Sequence, residues 1–145
     1  MILHKMMVEN FRQFRGKQEI EFINPSQDSA NVTVVFGENG RGKTGLFRAI
    51  MFCLFGERRL SQDVDVPHGE IQIVNVSALE ANPGQPVRTV VELEFTHREQ
   101  TYRLRRAILG MQDENRVIEE EDEKRLFVTP ADGNTKPVQA TEIDA

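Results

Sequence analysis

Cysteine is nearly missing from this chain: Cys53 is the single one among 145 residues. That excludes an intrachain disulfide and a zinc site built on cysteines, and its place inside an apolar segment reads as core packing. Long apolar runs are missing as well. None approaches the roughly 20 residues of a membrane span, and the opening Met1-Ile-Leu-His-Lys5 lacks the sustained apolar region of a signal peptide. With neither disulfides nor a targeting segment, the expected setting is reducing and cytoplasmic, away from membranes. His4, His68 and His97 fall in separate segments with no carboxylate or thiol cluster at ligand spacing, so they read as surface or strand residues. A basic excess is also lacking. Net charge is −5; residues 1–62 carry nine Lys/Arg against six Asp/Glu, and residues 63–145 carry nine against seventeen. Overall charge therefore gives no support to direct nucleic-acid binding. The run Glu119-Glu-Glu-Asp-Glu123 reads as a solvated loop or strand end. Two local basic clusters, Arg12/Arg15/Lys17 and Arg103/Arg105/Arg106, are equally compatible with strand surfaces and with phosphate contacts.

What the chain does have is Val32-Thr-Val-Val-Phe-Gly37-Glu-Asn-Gly-Arg-Gly-Lys-Thr44, a β-branched apolar run followed by G-x-x-x-x-G-K-T and a helix-like segment from Gly45 to about Phe55. This is a phosphate-binding P-loop in its required setting, a strand feeding a glycine-rich turn that opens a helix. Gly37, Gly40 and Gly42 permit the close backbone approach that a Cβ would block. Backbone N–H groups from Glu38 through Asn39 and Arg41 to Thr44 would point inward at a polyphosphate, favoured by the positive end of the helix dipole. Lys43 would set a point charge on the β- and γ-phosphates, and Thr44 Oγ1 would ligate Mg²⁺. ATP and Mg²⁺ are the expected ligands.

The rest of the chain reads mainly as strands. Ile2–Val8 and Gln18–Phe22 suggest a hairpin closed by the turn Asn10–Gly16. Asn24–Ser29 and residues 57–70 read as loops, Ile71–Val76 is ambiguous between strand and helix, and Asn82–Pro86 is a turn. Val87–Thr96 and Thr101–Ile108 make a strong hairpin, with Val91, Leu93 and Phe95 facing one way and Arg88, Glu92 and Glu94 the other. Lys124–Thr129 is a further strand, Ala131–Asn134 a turn, and Thr141 the N-cap of a helix barely begun. In the segment Leu46–Phe55 only Arg48 is charged, and a helix apolar on all sides is expected to be buried on all sides, with Gly56 as its C-cap. The architecture expected is α/β, a central P-loop strand and helix within a mixed sheet rich in antiparallel strands. One helix among about seven strands is few for such a fold.

Together these features resemble the N-terminal ATP-binding part of SMC-like (ABC-class) AAA-type ATPases: the double-strand-break repair ATPases, their bacterial SbcC relatives, RecF and the DndD-type ATPases. The residues that carry the resemblance are Leu3–Gly16, with its strand ending in Asn10-Phe-Arg12, the loop Phe36–Thr44, and the helix Arg48–Gly56. Ile73–Leu79, Val91–Phe95 and Tyr102–Arg106 are most similar to the DndD-type branch. The resemblance implies that residues 1–145 are the N-terminal lobe of an ATPase head cut before a coiled coil, with the signature motif and Walker B carboxylates beyond it. It also implies as partners the C-terminal half of the head, a second head in a homodimer sandwiching ATP, DNA, and possible nuclease partners, in DNA repair or modification-linked restriction. In such a cut lobe, apolar surface around Phe47, Met51 and Phe55 would be uncovered.

Site residues carried over by the resemblance are Glu38 to Thr44 on the phosphates, Lys43 as the catalytic lysine, and Arg12 near the nucleotide. Gly45 departs from relatives, which commonly carry Ser or Thr against the α-phosphate. The glycine loses a hydroxyl and costs roughly 1 kcal/mol in helix propensity, so Gly45→Thr is expected to tighten Mg-ATP binding. No residue stands out as the base that activates water; a chain with turnover would need one among Glu38, Asp63 and Asp65. A small-molecule or nucleotide kinase sharing the P-loop, and a non-catalytic module switched by nucleotide, are the competing classes.

Overall fold

The computed structural model describes residues 1–22, 32–64, 71–130 and 136–138. The loop expected at Asn24–Ser29, the turn at Ala131–Asn134 and the N-cap at Thr141 lie outside them, as do His68 and Asp65.

Six strands form one sheet: β1 (Ile2–Phe11), β2 (Phe14–Glu21), β3 (Val87–His97), β4 (Gln100–Asp113), β5 (Arg116–Thr129) and β6 (Lys136–Val138), in the spatial order β2-β1-β3-β4-β5-β6. Every pairing is antiparallel. The mixed sheet expected from the sequence is therefore corrected for the described residues. Alternation sets the two faces. Met6 pairs with Leu93 and Val8 with Val91, and these four side chains are buried in the main core. Between them in register, Met7 pairs with Glu92, which in turn pairs with Arg105 on the opposite face. That face is laced with ion pairs, Lys5–Glu19 at 2.7 Å and Arg105–Glu92 at 3.3 Å among them.

Two helices lie on the apolar face. α1 (Lys43–Phe55) packs against β3 and β4, setting Ala49, Phe52 and Cys53 onto the core, where the Phe52 ring stands 5.9 Å from that of Phe11. Its C-terminus closes as expected, Gly56 adopting φ 74° and returning its N–H to Phe52 O at 2.8 Å. Arg106 adds a second closure from β4, donating Nε to Cys53 O at 2.8 Å. The ambiguous stretch after residue 70 resolves into a bridge, Val74 opposite Phe11, and then α2 (Val76–Glu80), capped by Asn75, which accepts from Ala78 N–H at 2.8 Å.

Three expectations fail on burial. α1 is not buried on all sides: one face packs on the sheet, while Phe47 is 54% and Phe55 62% exposed. Arg48, the lone charge between Leu46 and Phe55, is by contrast buried. The run Val32–Phe36 is not the sheet's central strand. It joins none of the six strands, and Phe36 is 90% exposed. Its composition is that of a strand covered on both faces, but among the described residues it pairs with no strand and meets the sheet just past the end of β2, where Thr33 Oγ1 donates to Phe22 O at 2.9 Å. The acidic run 119–123 lies in the middle of β5 rather than in a loop or strand end; Glu120, Glu121 and Asp122 are exposed as expected, but the Glu119 side chain is only 6% exposed.

Candidate functional site

The site begins where residues 37–42 turn into α1. Gly40 takes φ 82° and Gly42 φ 107°, backbone that side-chain-bearing residues rarely adopt, so both glycines are required by the path of the loop. The first intrahelical bond of α1 runs from Leu46 N–H to Gly42 O at 3.0 Å, the N-cap Gly42 offers no side-chain acceptor, and no acidic residue occupies the first turn. The helix thus presents its N-terminal donors and dipole without an internal counter-charge, which suits an anion. Lys43 is folded back over the loop, donating Nζ to Gly37 O at 2.5 Å and to Glu38 O at 2.8 Å. A phosphate entering the loop would draw the ammonium from two neutral carbonyls to a charged oxygen, a stronger acceptor.

A cavity of about 250 Å³ opens on this turn, walled by Asn39, Gly40, Gly42, Lys43, Thr44 and Gly45 from the loop and helix, by Arg12 and Gln13 from the β1–β2 turn, and by Arg48 from below. Seven of the residues singled out from the sequence therefore converge, Arg12 among them. Gly37 and Glu38 contribute carbonyls to Lys43 rather than cavity wall, and Arg41 pairs with Glu38 at 3.1 Å on the exposed rim. A larger cavity of about 730 Å³, between Ile2, Leu3 and Phe22 on one side and Leu46, Phe47 and Ile50 on the other, touches the site only through Lys43. Its apolar walls offer little to a polyphosphate.

Arg12 is held rather than free. Its N–H donates to Ile73 O at 2.7 Å and its Nη1 to Gln72 O at 2.7 Å, while Asn75 Nδ2 donates to Arg12 O at 2.5 Å. Burial, and then the nearby Arg48 guanidinium, lower its pKa. An additional negative charge in the cavity would relieve that unfavourable pairing of cations. Arg48 already has its counter-charge: Nη1 and Nη2 reach the two carboxylate oxygens of Asp63 at 2.7 and 2.8 Å. The Arg48 hydrogen bonds, followed by the donation from Leu60 N–H, hold Asp63 down at about 2. Asp63 is therefore spoken for and unsuited to activate water, and Glu38 lies at the exposed rim with Arg41. Among the described residues no cluster of three or more His, Cys, Asp or Glu could by itself hold a metal. Thr44, exposed at the cavity, is the one metal-side group the loop provides.

Sequence reasoning missed Gln13 and Arg48 as wall residues. The single charge in the otherwise apolar segment Leu46–Phe55 was the available signal for Arg48; Gln13 carried none.

A family model described as an AAA domain matches residues 5–139. The chain belongs to that family. It is accordingly a P-loop domain of the AAA-type ATPases, a family found in SMC-like proteins. An AAA domain binds nucleotide, usually with Mg²⁺, and the uncapped first turn of α1, Lys43 and Thr44 are groups that fit such a ligand. Among curated proteins no match is found. No helix among the described residues of this AAA domain is long and apolar enough to cross a membrane.

Proposed function

We propose that this AAA domain is the N-terminal, ATP-binding lobe of an SMC-like ATPase head, which couples ATP binding and hydrolysis to DNA engagement in repair or in modification-linked restriction. The observation that carries the reading is the joint cavity: the P-loop from one part of the chain and the Asn10-Phe-Arg12 turn from another wall the same 250 Å³ space. The Asn-Phe-Arg start and the loop sequence are also the features that resemble the SMC-like ATPases as a group. A nucleotide kinase is disfavoured, because the sheet against which α1 packs is antiparallel among the described residues.

In this reading Lys43 and the loop N–H groups bind the β- and γ-phosphates, Arg12 adds a cation held at fixed position, and Thr44 is the protein ligand for Mg²⁺, which when bound neutralises charge on the phosphates. The exposed Phe47 and Phe55 and the run Val32–Phe36, which joins no strand of the sheet, suit cover by the C-terminal half of the head. ATP would then lie between two such heads, and DNA and a nuclease partner would act through the full assembly. Calorimetric titration with Mg-ATP tests the site. Wild type binds, and Lys43→Ala, whose ammonium bonds only exposed loop carbonyls, loses binding while keeping its circular dichroism and melting transition. Unchanged affinity in that variant would refute the reading.

A further inference from the structure

Gln13 stands at the tip of the β1–β2 turn, and its carboxamide lies across the start of α1. Nε2 donates to Gly42 O at 3.1 Å, the same carbonyl that accepts the first helical bond. A Cβ built on Gly45 would stand 1.9 Å from Nε2 and 2.7 Å from Oε1, and one on Gly42 would stand 2.8 Å from Nε2. The carboxamide thus fills the space that a side chain on residue 45 would take, on the wall it shares with Lys43 and Thr44. The backbone that carries it is fixed next door, where Arg12 is tied to Ile73, Gln72 and Asn75. A carboxamide nitrogen has two hydrogens. Gly42 uses one, and the other has no partner among the described residues.

We propose that Gln13 is a ligand-contacting residue of this site, giving its second Nε2 hydrogen to the phosphate that lies over residue 45. With Lys43 and Thr44 addressing the β- and γ-phosphates, that is the α-phosphate of a nucleoside triphosphate. The assignment rests on the P-loop reading above. It makes Gln13 the group that separates a nucleotide from a shorter phosphate: inorganic pyrophosphate can occupy the Lys43 end without reaching it.

Titrations with Mg-ATP and with Mg-pyrophosphate test this on the whole chain. Gln13→Ala is expected to lower ATP affinity about tenfold, the loss of one hydrogen bond to a charged oxygen, and to leave pyrophosphate affinity unchanged. Equal losses for both ligands would mean that Gln13 only shapes the Gly42 carbonyl, and no loss for either would mean that it makes no contact; each result overturns the assignment. Adding Gly45→Ser to Gln13→Ala returns a donor to the vacated space and should recover ATP affinity, and failure to recover it counts against the shared position. Lys43→Ala loses both ligands. If it keeps both, or if wild type binds neither, the P-loop reading falls first and this assignment with it.

Discussion

Gly45 changes meaning once Gln13 is seen. The sequence presents it as a missing hydroxyl that a threonine would restore, but the space is taken, and the threonine Cβ would meet the Gln13 amide at 1.9 Å. Gly45→Thr in the otherwise unchanged chain must push the Gln13 amide aside, exchanging one donor for another, so it is expected to leave Mg-ATP affinity about unchanged rather than tighten it as the sequence suggests; calorimetry decides. Asp63 supports a second prediction at this scale. Its carboxyl is held at about 2 by Arg48, below the roughly 3.9 of an unperturbed aspartate. A depressed folded value means that the stabilisation is complete above the unfolded value and is lost as pH falls through the folded one. Asp63→Ala, which strands a guanidinium that is almost fully buried, should lower Tm by several degrees near neutrality. The gap to wild type should narrow as pH drops from about 4 towards 2, as thermal melts across that window would show.

Between elements, Glu119 is a clamp. Its Oε1 accepts from Ile73 N–H at 2.8 Å and Val74 N–H at 2.7 Å, and its Oε2 takes Arg58 Nη1 at 2.6 Å. One carboxylate on β5 therefore holds the segment before α2 and the segment after α1. Glu119→Ala leaves two backbone donors without partners, a cost of about 2–4 kcal/mol, readable as a fall in the denaturation midpoint. Gly110 on β4 faces the same segment: a Cβ there would lie 2.3 Å from Val74 Cγ2, and Val74 is buried. Gly110→Ala should cost about 1–3 kcal/mol by overpacking, and Val74→Ala in the same chain should return part of it. The hairpins were legible beforehand because a sheet with one apolar face writes itself as alternation, as in Val91, Leu93 and Phe95. The P-loop turn was legible because glycine spacing encodes backbone geometry directly. The clamp was not. A run of acids looks solvated from composition alone, and what turns Glu119 inward is a partner 46 residues away in sequence. α2 was half legible, since Asn75 ahead of Val76-Ser-Ala-Leu is a cap signal that the apolar run before it obscured. The strand expected at Val32–Phe36 was misplaced for a related reason: composition reports that a segment suits burial, not whether anything buries it.

For the molecule as a whole, Phe36, Phe47 and Phe55 are exposed apolar surface, of the kind that drives association. Residues 1–145 alone should sediment as a concentration-dependent mixture, and Phe47→Glu should shift it towards monomer. Hydrolysis by the same material should not exceed background, since Asp63 and Glu38 are both paired; a rate that disappears in Lys43→Ala would reverse that view. Cys53 adds something of a different kind. Its Sγ lies 3.5 Å from Val91 O and 3.4 Å from Leu104 O, beneath α1, and burial pushes its thiol up to about 12. A thiol so placed is chemically silent until the helix lifts off the sheet. Being the single cysteine of the chain, it is a built-in stopwatch: the speed at which an excess of aromatic disulfide colours the solution counts how often α1 leaves its seat. A ligand that grips the far end of that helix should slow the count.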